Sequence, residues 1–386
     1  MVQYRFFIIC FSASREVAAR FVLFGILFLF LASCSGPKNL VGVETSVPVA
    51  EVPDLSQHRI FIATSRMASD VPGELFSGQR SQNLGFASVD VFVPPGHKPG
   101  QIELPKQLPP DPRQHFVIGQ PERFVQTSQF QDALSNYLNS RAIEDRKILL
   151  FVHGYNTDMS SAILQISQFV EDSGYDGVPL LFSWASSGQT LKYVYDINSV
   201  LAARDHLTSM FSVLQLPSID SYDVVAHSMG TLLVMEAARQ AAITTGLNPT
   251  QKVRNVVLAA PDIDWDVFLS QVRSFPTGRY NMVVLVASDD KALKASRRVA
   301  GGIKRLGQVP ATELDRLGVI AIDLSEVDDE STYSHAKYKD SPEVVKLLGD
   351  ALKEGSSVDN RPNLTVGQTI GVGVDGAIKI LTGGQN

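Results

Sequence analysis

The chain has 386 residues, 44% of them apolar and 19% charged, and carries a net charge of −6. That length accommodates one large α/β domain or two smaller ones, and the composition is that of an ordinary globular protein. No basic stripe is present to neutralise phosphates, which excludes nucleic acid as a partner.

The first segment reads as a targeting sequence. Arg5, Arg15 and Arg20 precede an apolar run from Phe21 to Ala32. As a helix this run reaches about 18 Å, short of the roughly 30 Å hydrocarbon core, so it suits a signal-peptide h-region better than a transmembrane helix. It ends in Leu31-Ala32-Ser33-Cys34, which resembles the lipobox of a bacterial lipoprotein, with Cys34 as the lipidated first residue of the mature chain. The only other cysteine, Cys10, leaves with the signal peptide, so no thiol or disulfide remains in an oxidising compartment. Ser35, not Asp, follows the cysteine and points to the outer membrane. Several acyl chains on one residue make a stable anchor. The expected organisation is a signal peptide over 1–33, a lipidated tether over 34–57, a folded domain over 58–354 and a tail over 355–386. Pro37, Pro48 and Pro53 mark the tether.

Arg59–Ala63 and Ala87–Val93 are alternating, β-branched runs and predict two strands. The proline- and glycine-rich stretch 96–114 predicts a surface loop, followed by a short strand at Phe116–Ile118. Phe130, Leu134, Tyr137 and Leu138 share one face of a helix predicted over Ser128–Arg141. From Lys147 the pattern is strictly β-α. Strands are expected at Ile148–Val152, Val178–Phe182, Tyr222–Ala226, Val253–Ala259, Met282–Ala287 and Val319–Leu324. Helices are expected over Ser160–Asp172, Asp196–Leu214, Thr231–Ala242, Lys291–Gly301 and Pro342–Lys353. Apolar strands alternating with helices predict an α/β fold, a mostly parallel sheet covered on both faces, with the N-terminal strands extending it. The interval between Ala260 and Met282 is too short for a large cap domain. The tail from Ser356 has no clear pattern.

Ser228 lies in Ala226-His227-Ser228-Met229-Gly230, between a predicted strand and a predicted helix. A strand that turns sharply into a helix at a serine exposes its Oγ at the top of the sheet and aims the free N–H groups of the helix at what it attacks. Small residues on either side are needed because the strand and helix backbones nearly touch; Ala226 stands where glycine is usual. Of seven histidines only His335 follows Ser228, in the loop after the last predicted strand, and it is the expected general base. His227 is expected to point away, and His153 to bond its own loop. The orienting acid should follow the strand ending at Ala287, where Asp290 is preferred. Asp289 would then be solvated or cap the next helix, and Asp262 is the alternative one strand earlier. In His153-Gly154-Tyr155-Asn156 the glycine allows a turn that directs the Tyr155 N–H toward the substrate, beside the Met229 N–H, as an oxyanion hole. Trp184, Tyr193 and Tyr195 are candidates for an acyl pocket or for the core. No metal-ligand cluster and no dinucleotide fingerprint is visible, so neither metal nor cofactor is expected.

Together these residues resemble the α/β-hydrolase superfamily, and more narrowly a group of bacterial esterase/lipase-like proteins. The likeness rests on Phe151 to Asn156, Leu181 to Trp184, Ala226 to Gly230, Ser288-Asp289-Asp290-Lys291-Ala292-Leu293 and Ser334-His335, and spans roughly 58–354. It places the acid directly before the basic residue, hence Asp290 before Lys291. It implies a serine hydrolase that cleaves carboxylic esters, including lipid or thioesters, at the periplasmic side of the envelope. A non-catalytic scaffold of the same fold and a peptidase or transacylase with the same triad are the other readings. A serine at the elbow argues against haloalkane or epoxide chemistry.

Overall fold

The computed structural model describes residues 36–275, 280–327 and 334–353, together with the strand segments 369–372 and 378–381. Cys34 and the signal segment lie outside the described residues.

Twelve strands among these residues form one sheet. In chain order they are β1 (Ser56–Ala68), β2 (Phe76–Val93), β3 (Val117–Ile118), β4 (Glu122–Phe124), β5 (Lys147–Val152), β6 (Val178–Ser183), β7 (Ser221–His227), β8 (Val253–Ala259), β9 (Asn281–Val286), β10 (Ile320–Asp323), β11 (Thr369–Val372) and β12 (Ile378–Leu381). The helices are α1 (Thr127–Asn139), α2 (Met159–Ser173), α3 (Tyr193–Val213), α4 (Met229–Thr244), α5 (Trp265–Val272), α6 (Lys291–Val299), α7 (Ala311–Asp315), α8 (Lys337–Asp340) and α9 (Pro342–Lys353). None of the described helices is long and apolar enough to cross a membrane.

The sheet runs β12-β11-β10-β9-β8-β7-β5-β6-β1-β2-β3, with β4 also paired to β2. From β6 through β11 every neighbouring pair is parallel. Successive side chains of a strand point to opposite faces, so a parallel strand that is apolar throughout builds two cores. Leu149, Phe151, Val225, Val257, Val283 and Leu285 pack on one face with α2 and α9. Ile148, Leu150, Val152, Val224, Ala226 and Val284 pack on the other with α1, α3 and α4. Strand β5 pairs with β6 on one side and β7 on the other. The chain therefore leaves β5 in one direction through α2 and returns past it through α3. A crevice opens at the carboxyl ends of strands where the order reverses in this way, between the loops that follow β5 and β7.

The N-terminal strands are longer than their alternating cores suggest. β1 pairs parallel with β6 and antiparallel with β2, and the β1–β2 register slips on both sides of Arg66. The polar stretch Gln79 to Asn83 masks the strand signal because both its faces are partly solvated. The segment expected as a tether is not free of the fold from residue 36 onward. Leu40 and Val41 are buried, the Leu40 N–H donates to Ser160 Oγ at 2.9 Å, and Val41 bridges to Ile118. Burying two such side chains stabilises this docking by a few kcal/mol. The loop after β2 is fastened to α2, with His97 Nε2 2.8 Å from Asp172 and Nδ1 2.9 Å from Glu103. Helix α5, absent from the sequence pattern, is only 8 residues long and starts at an Asp264 cap, too short for its periodicity to register. In the tail, β11 and β12 add two strands where no pattern was expected.

Candidate active site

Ser228 occupies the turn between β7 and α4 with φ 53° and ψ −123°. A non-glycine residue there carries on the order of 1–3 kcal/mol of strain. The surroundings hold it in place: the Ser228 N–H donates to Ala259 O at 2.9 Å, and its carbonyl accepts from Thr231 N–H at 3.1 Å and Asp262 N–H at 3.2 Å. Two glycines make the approach of the backbones possible. A Cβ on Gly230 would lie 2.3 Å from His153 O, and one on Gly154 would lie 2.9 Å from Ser228 Cβ. Ala226 is fully buried, and its methyl group is accommodated at the position where glycine is usual.

His335 reaches this serine from the loop after β10. Its Nε2 is 2.8 Å from Ser228 Oγ and its Nδ1 is 2.6 Å from Asp290 Oδ2. A carboxylate accepts only, so Nδ1 carries the proton and Nε2 is free to receive the serine's. Asp290 is fully buried. Its other oxygen accepts from Leu293 N–H at 2.9 Å, so the same side chain caps α6. Of the two roles expected for Asp289, solvated or cap of this helix, the cap falls to Asp290 instead. Asp289 is instead half-exposed and pairs with Lys337 Nζ at 2.8 Å. The physical reason is direction: adjacent side chains diverge, and the one that turns inward can meet both the helix N–H and the imidazole. Asp262, the alternative acid, is taken up by Arg305 at 3.1 Å and Tyr193 OH at 2.9 Å.

His227 is not turned away from the base as expected. Its Nε2 donates to the His335 carbonyl at 3.2 Å, and the two rings lie 4.9 Å apart. Burial first, and then the neighbouring His335, push its pKa well below the usual value, so it stays neutral. Lys337 Nζ also donates to Leu324 O at 2.9 Å, fixing the loop that carries His335 from its other side.

The opposite wall is the loop from His153 to Thr157. His153 is fully buried and stacks on Trp184 at 5.1 Å, while the indole N–H donates to His153 O at 2.8 Å. Trp184 therefore supports this loop from the core and does not line a pocket. Tyr155 packs edge-on against Tyr193 at 5.3 Å, and its hydroxyl donates to Thr190 O. Tyr195 donates to Gly78 O at 2.9 Å. Asp196, buried in the first turn of α3, accepts from Ser186 Oγ at 2.6 Å, Ser187 N–H at 2.8 Å and Asn156 N–H at 3.3 Å. Arg66, 2% exposed, donates to Thr157 O at 2.7 Å and Ser186 O at 2.9 Å. Neither Asp196 nor Arg66 stands out in the sequence, since each looks like one more charge in a surface-compatible run. Met229 opens α4, where an N–H has no intrahelical acceptor.

A cavity of about 450 Å³ lies elsewhere, among Phe211, Tyr222, Val234, Met235, Val256 and Met282. Of its lining, Tyr222, Val253 and Met282 stand at the amino ends of β7, β8 and β9, whereas Ser228, His335 and Asp290 meet at the carboxyl ends. This cavity is therefore separate from the candidate site at Ser228. Among the described residues no group of three His, Cys, Asp or Glu side chains could hold a metal ion.

A family model described as alpha/beta hydrolase of unknown function (DUF900) matches residues 126–351. The chain belongs to this alpha/beta hydrolase family. No curated protein matches the hydrolase. Among solved structures it is similar to an esterase from Pyrobaculum calidifontis, at 11% identity and a TM-score of 0.35, covering 88% of this chain and 93% of the other. The carboxylesterase EstE1, cloned from a metagenomic library, is 12% identical with a TM-score of 0.33, covering 90% and 100%. The phospholipase PlaB from Legionella pneumophila is 13% identical with a TM-score of 0.21, covering 50% and 42%. The family match begins at Gln126, the residue before α1, so β1, β2 and Arg66 lie outside it.

Proposed function

We propose that this hydrolase cleaves carboxylic esters through an acyl-enzyme on Ser228. The observation that carries the reading is the 2.8 Å and 2.6 Å chain from Ser228 Oγ through His335 to Asp290. Ser228 Oγ attacks the acyl carbon while His335 Nε2 takes its proton. The Met229 and Tyr155 N–H groups receive the oxyanion, each contributing about 2.7–4 kcal/mol to the barrier reduction. His335 then gives its proton to the leaving alkoxide as the C–O bond breaks. Water deprotonated by the same nitrogen releases the acid and restores the serine. Asp290 keeps the imidazole in the required tautomer and stabilises its cation.

The test is a fluorophosphonate probe on the purified protein, followed by p-nitrophenyl esters of increasing chain length. Ser228-dependent labelling with ester turnover is expected. Labelling without turnover would redirect the search to a narrower acyl donor, as in a peptidase or transacylase. Absence of both would favour a binding scaffold.

The envelope location is part of the same proposal. Cys34 would carry the acyl chains, holding the cleft near a membrane on its periplasmic side. A clickable palmitate should label the wild type, and a Cys34→Ala chain that still takes up the label would reject the anchor.

A further inference from the structure

The loop that carries Tyr155 is held by a chain of hydrogen bonds that admits one set of proton positions. Gly154 O can only accept, so His153 Nδ1, 2.9 Å away, bears the proton. Burial first, and the Arg66 charge second, push the His153 pKa down to about 3, so the ring is neutral and its Nε2 is bare. That nitrogen accepts from Ser183 Oγ–H at 2.9 Å. Ser183 Oγ in turn accepts from Arg66 Nε–H at 2.7 Å. The direction of every bond follows from the two ends: a guanidinium that only donates and a carbonyl that only accepts.

The Gly154 carbonyl and the Tyr155 N–H are the two ends of one planar trans peptide, so they point in opposite directions. Holding the carbonyl against the His153 ring sets the direction of the N–H. Gly154 lies close enough to Ser228 that an added Cβ would stand 2.9 Å from Ser228 Cβ, so this peptide borders the nucleophile. We propose that Arg66, acting through Ser183 and His153, fixes the Gly154–Tyr155 peptide so that the Tyr155 N–H is presented to the substrate oxyanion. Arg66 is thus a positioning residue, and the inference rests on the reading of Tyr155 as an oxyanion donor.

Two further observations favour this over a purely structural arginine. All of its hydrogen-bond partners are neutral: Ser183 Oγ, His153 Nε2 and the carbonyls of Ser77, Ser186 and Thr157. Asp158 and Asp196 offset its charge only from a distance, and a buried cation without a directly paired carboxylate gains less than an apolar side chain of the same size would, so stability alone does not account for it. The register slips that flank Arg66 in the β1–β2 pair are irregularities of the kind that re-aim a side chain beside a site. The N-terminal hairpin, outside the family match, would then complete the oxyanion side of the cleft.

The experiment reads the histidine ¹⁵N signals and the Tyr155 amide of the full chain, with and without Ser183→Ala, alongside steady-state ester kinetics. In the wild type His153 should be protonated at Nδ1 and bare at Nε2 from pH 5 to 9. Ser183→Ala leaves the Nδ1–H tautomer in place, since Gly154 O and Arg66 Nη2 still face the two ring nitrogens, but it loosens the ring and should shift the Tyr155 amide resonance. It should also lower kcat about tenfold while KM stays within twofold, the loss of one hydrogen bond's worth of alignment. Arg66→Lys keeps the charge but not the fork, and should lower kcat by a similar factor. A wild-type His153 protonated at Nε2 overturns the inference without any variant, as does a Ser183→Ala chain with an unmoved Tyr155 amide or an unchanged kcat. The spectroscopic readings need no substrate, so they decide the relay even if ester turnover, and with it the proposed function, fails.

Discussion

The proposed triad side of the site draws its side chains from the ends of β7, β9 and β10, whereas the proposed oxyanion side is assembled from β1, the loops after β5 and β6, and the first turn of α3. The first side is a short linear chain in which each member touches the next: Ser228, His335 and Asp290. The second is a mesh in which two buried charges, Arg66 and Asp196, each bind backbone or hydroxyl groups of both of these loops. Chemistry that moves a proton needs residues in series, so the removal of one stops it. Chemistry that holds an N–H in a fixed direction needs a rigid frame, and a frame weakens by degrees. Substitutions on the two sides should therefore differ in size and in kind.

The largest effect is expected at the proposed nucleophile. Ser228→Ala should lower turnover about 10⁶-fold, to the level left by the oxyanion donors and substrate binding alone, and should abolish fluorophosphonate labelling with no loss of folding. A residual rate within a hundredfold of the wild type would mean that another group attacks.

Next in size is the acid, which separates two neighbours. Asp290→Asn can keep the α6 cap, because its carbonyl oxygen still accepts from Leu293 N–H. Its amide would face His335 Nδ1 as a donor and favour the wrong tautomer. The loss expected is about 10⁴-fold in kcat. Asp289→Asn, half-exposed and paired only with Lys337 among the contacts described, should stay within about threefold. Reversed magnitudes would reassign the acid.

Legibility in the sequence follows the same division. Ser228, Asp290 and His335 are each attached to a strand end, and their order along the chain is the order in which the fold brings them together. Reading the β-α rhythm therefore also reads their placement. Arg66 and Asp196 carry no such marker. Arg66 sits 87 positions before His153, and nothing in the alternation of β1 reveals the register slip that turns its guanidinium inward. His227 is a different case. Its neighbour in the motif was legible, but the direction of its ring depends on where the His335 loop crosses it. The buried Leu40 and Val41 were obscured by the surrounding prolines, whose spacing resembles a tether even where the chain packs.

On the oxyanion side the expected loss is smaller and differently divided. Asp196→Asn keeps the shape of the side chain but replaces one oxygen with a donor, so at least one of Ser186 Oγ–H, Ser187 N–H and Asn156 N–H loses its acceptor. Hydrogen bonds to a charged group contribute about 1.5–3 kcal/mol, which corresponds to a fall in kcat of roughly 10- to 100-fold. KM should move by less than about threefold, because a misdirected oxyanion donor weakens the transition state more than the ground state. A raised KM with an unchanged kcat would show that the loop binds substrate and does not align the donor.

The N-terminal region also offers a control that should leave the chemistry alone. Burial by itself would lower the His97 pKa, but the hydrogen bonds from its ring to Asp172 and Glu103 outweigh that and hold it at about 9. The folded value lies above the unfolded one, near 6.5, so the folded state binds the proton more tightly. Its stabilisation is then complete below about pH 6.5 and is lost as the pH rises through about 9. The shift corresponds to at most about 3 kcal/mol. Urea denaturation of the wild type and His97→Gln at pH 6 and pH 10 isolates this contribution, since every other titrating group is common to both. The wild type should exceed the variant by up to about 3 kcal/mol at pH 6, and that margin should shrink at pH 10. The turnover of the folded variant should match the wild type at both. An equal margin at the two pH values would remove His97 as the source, and a lower turnover in the folded variant would tie this loop to the site across α2.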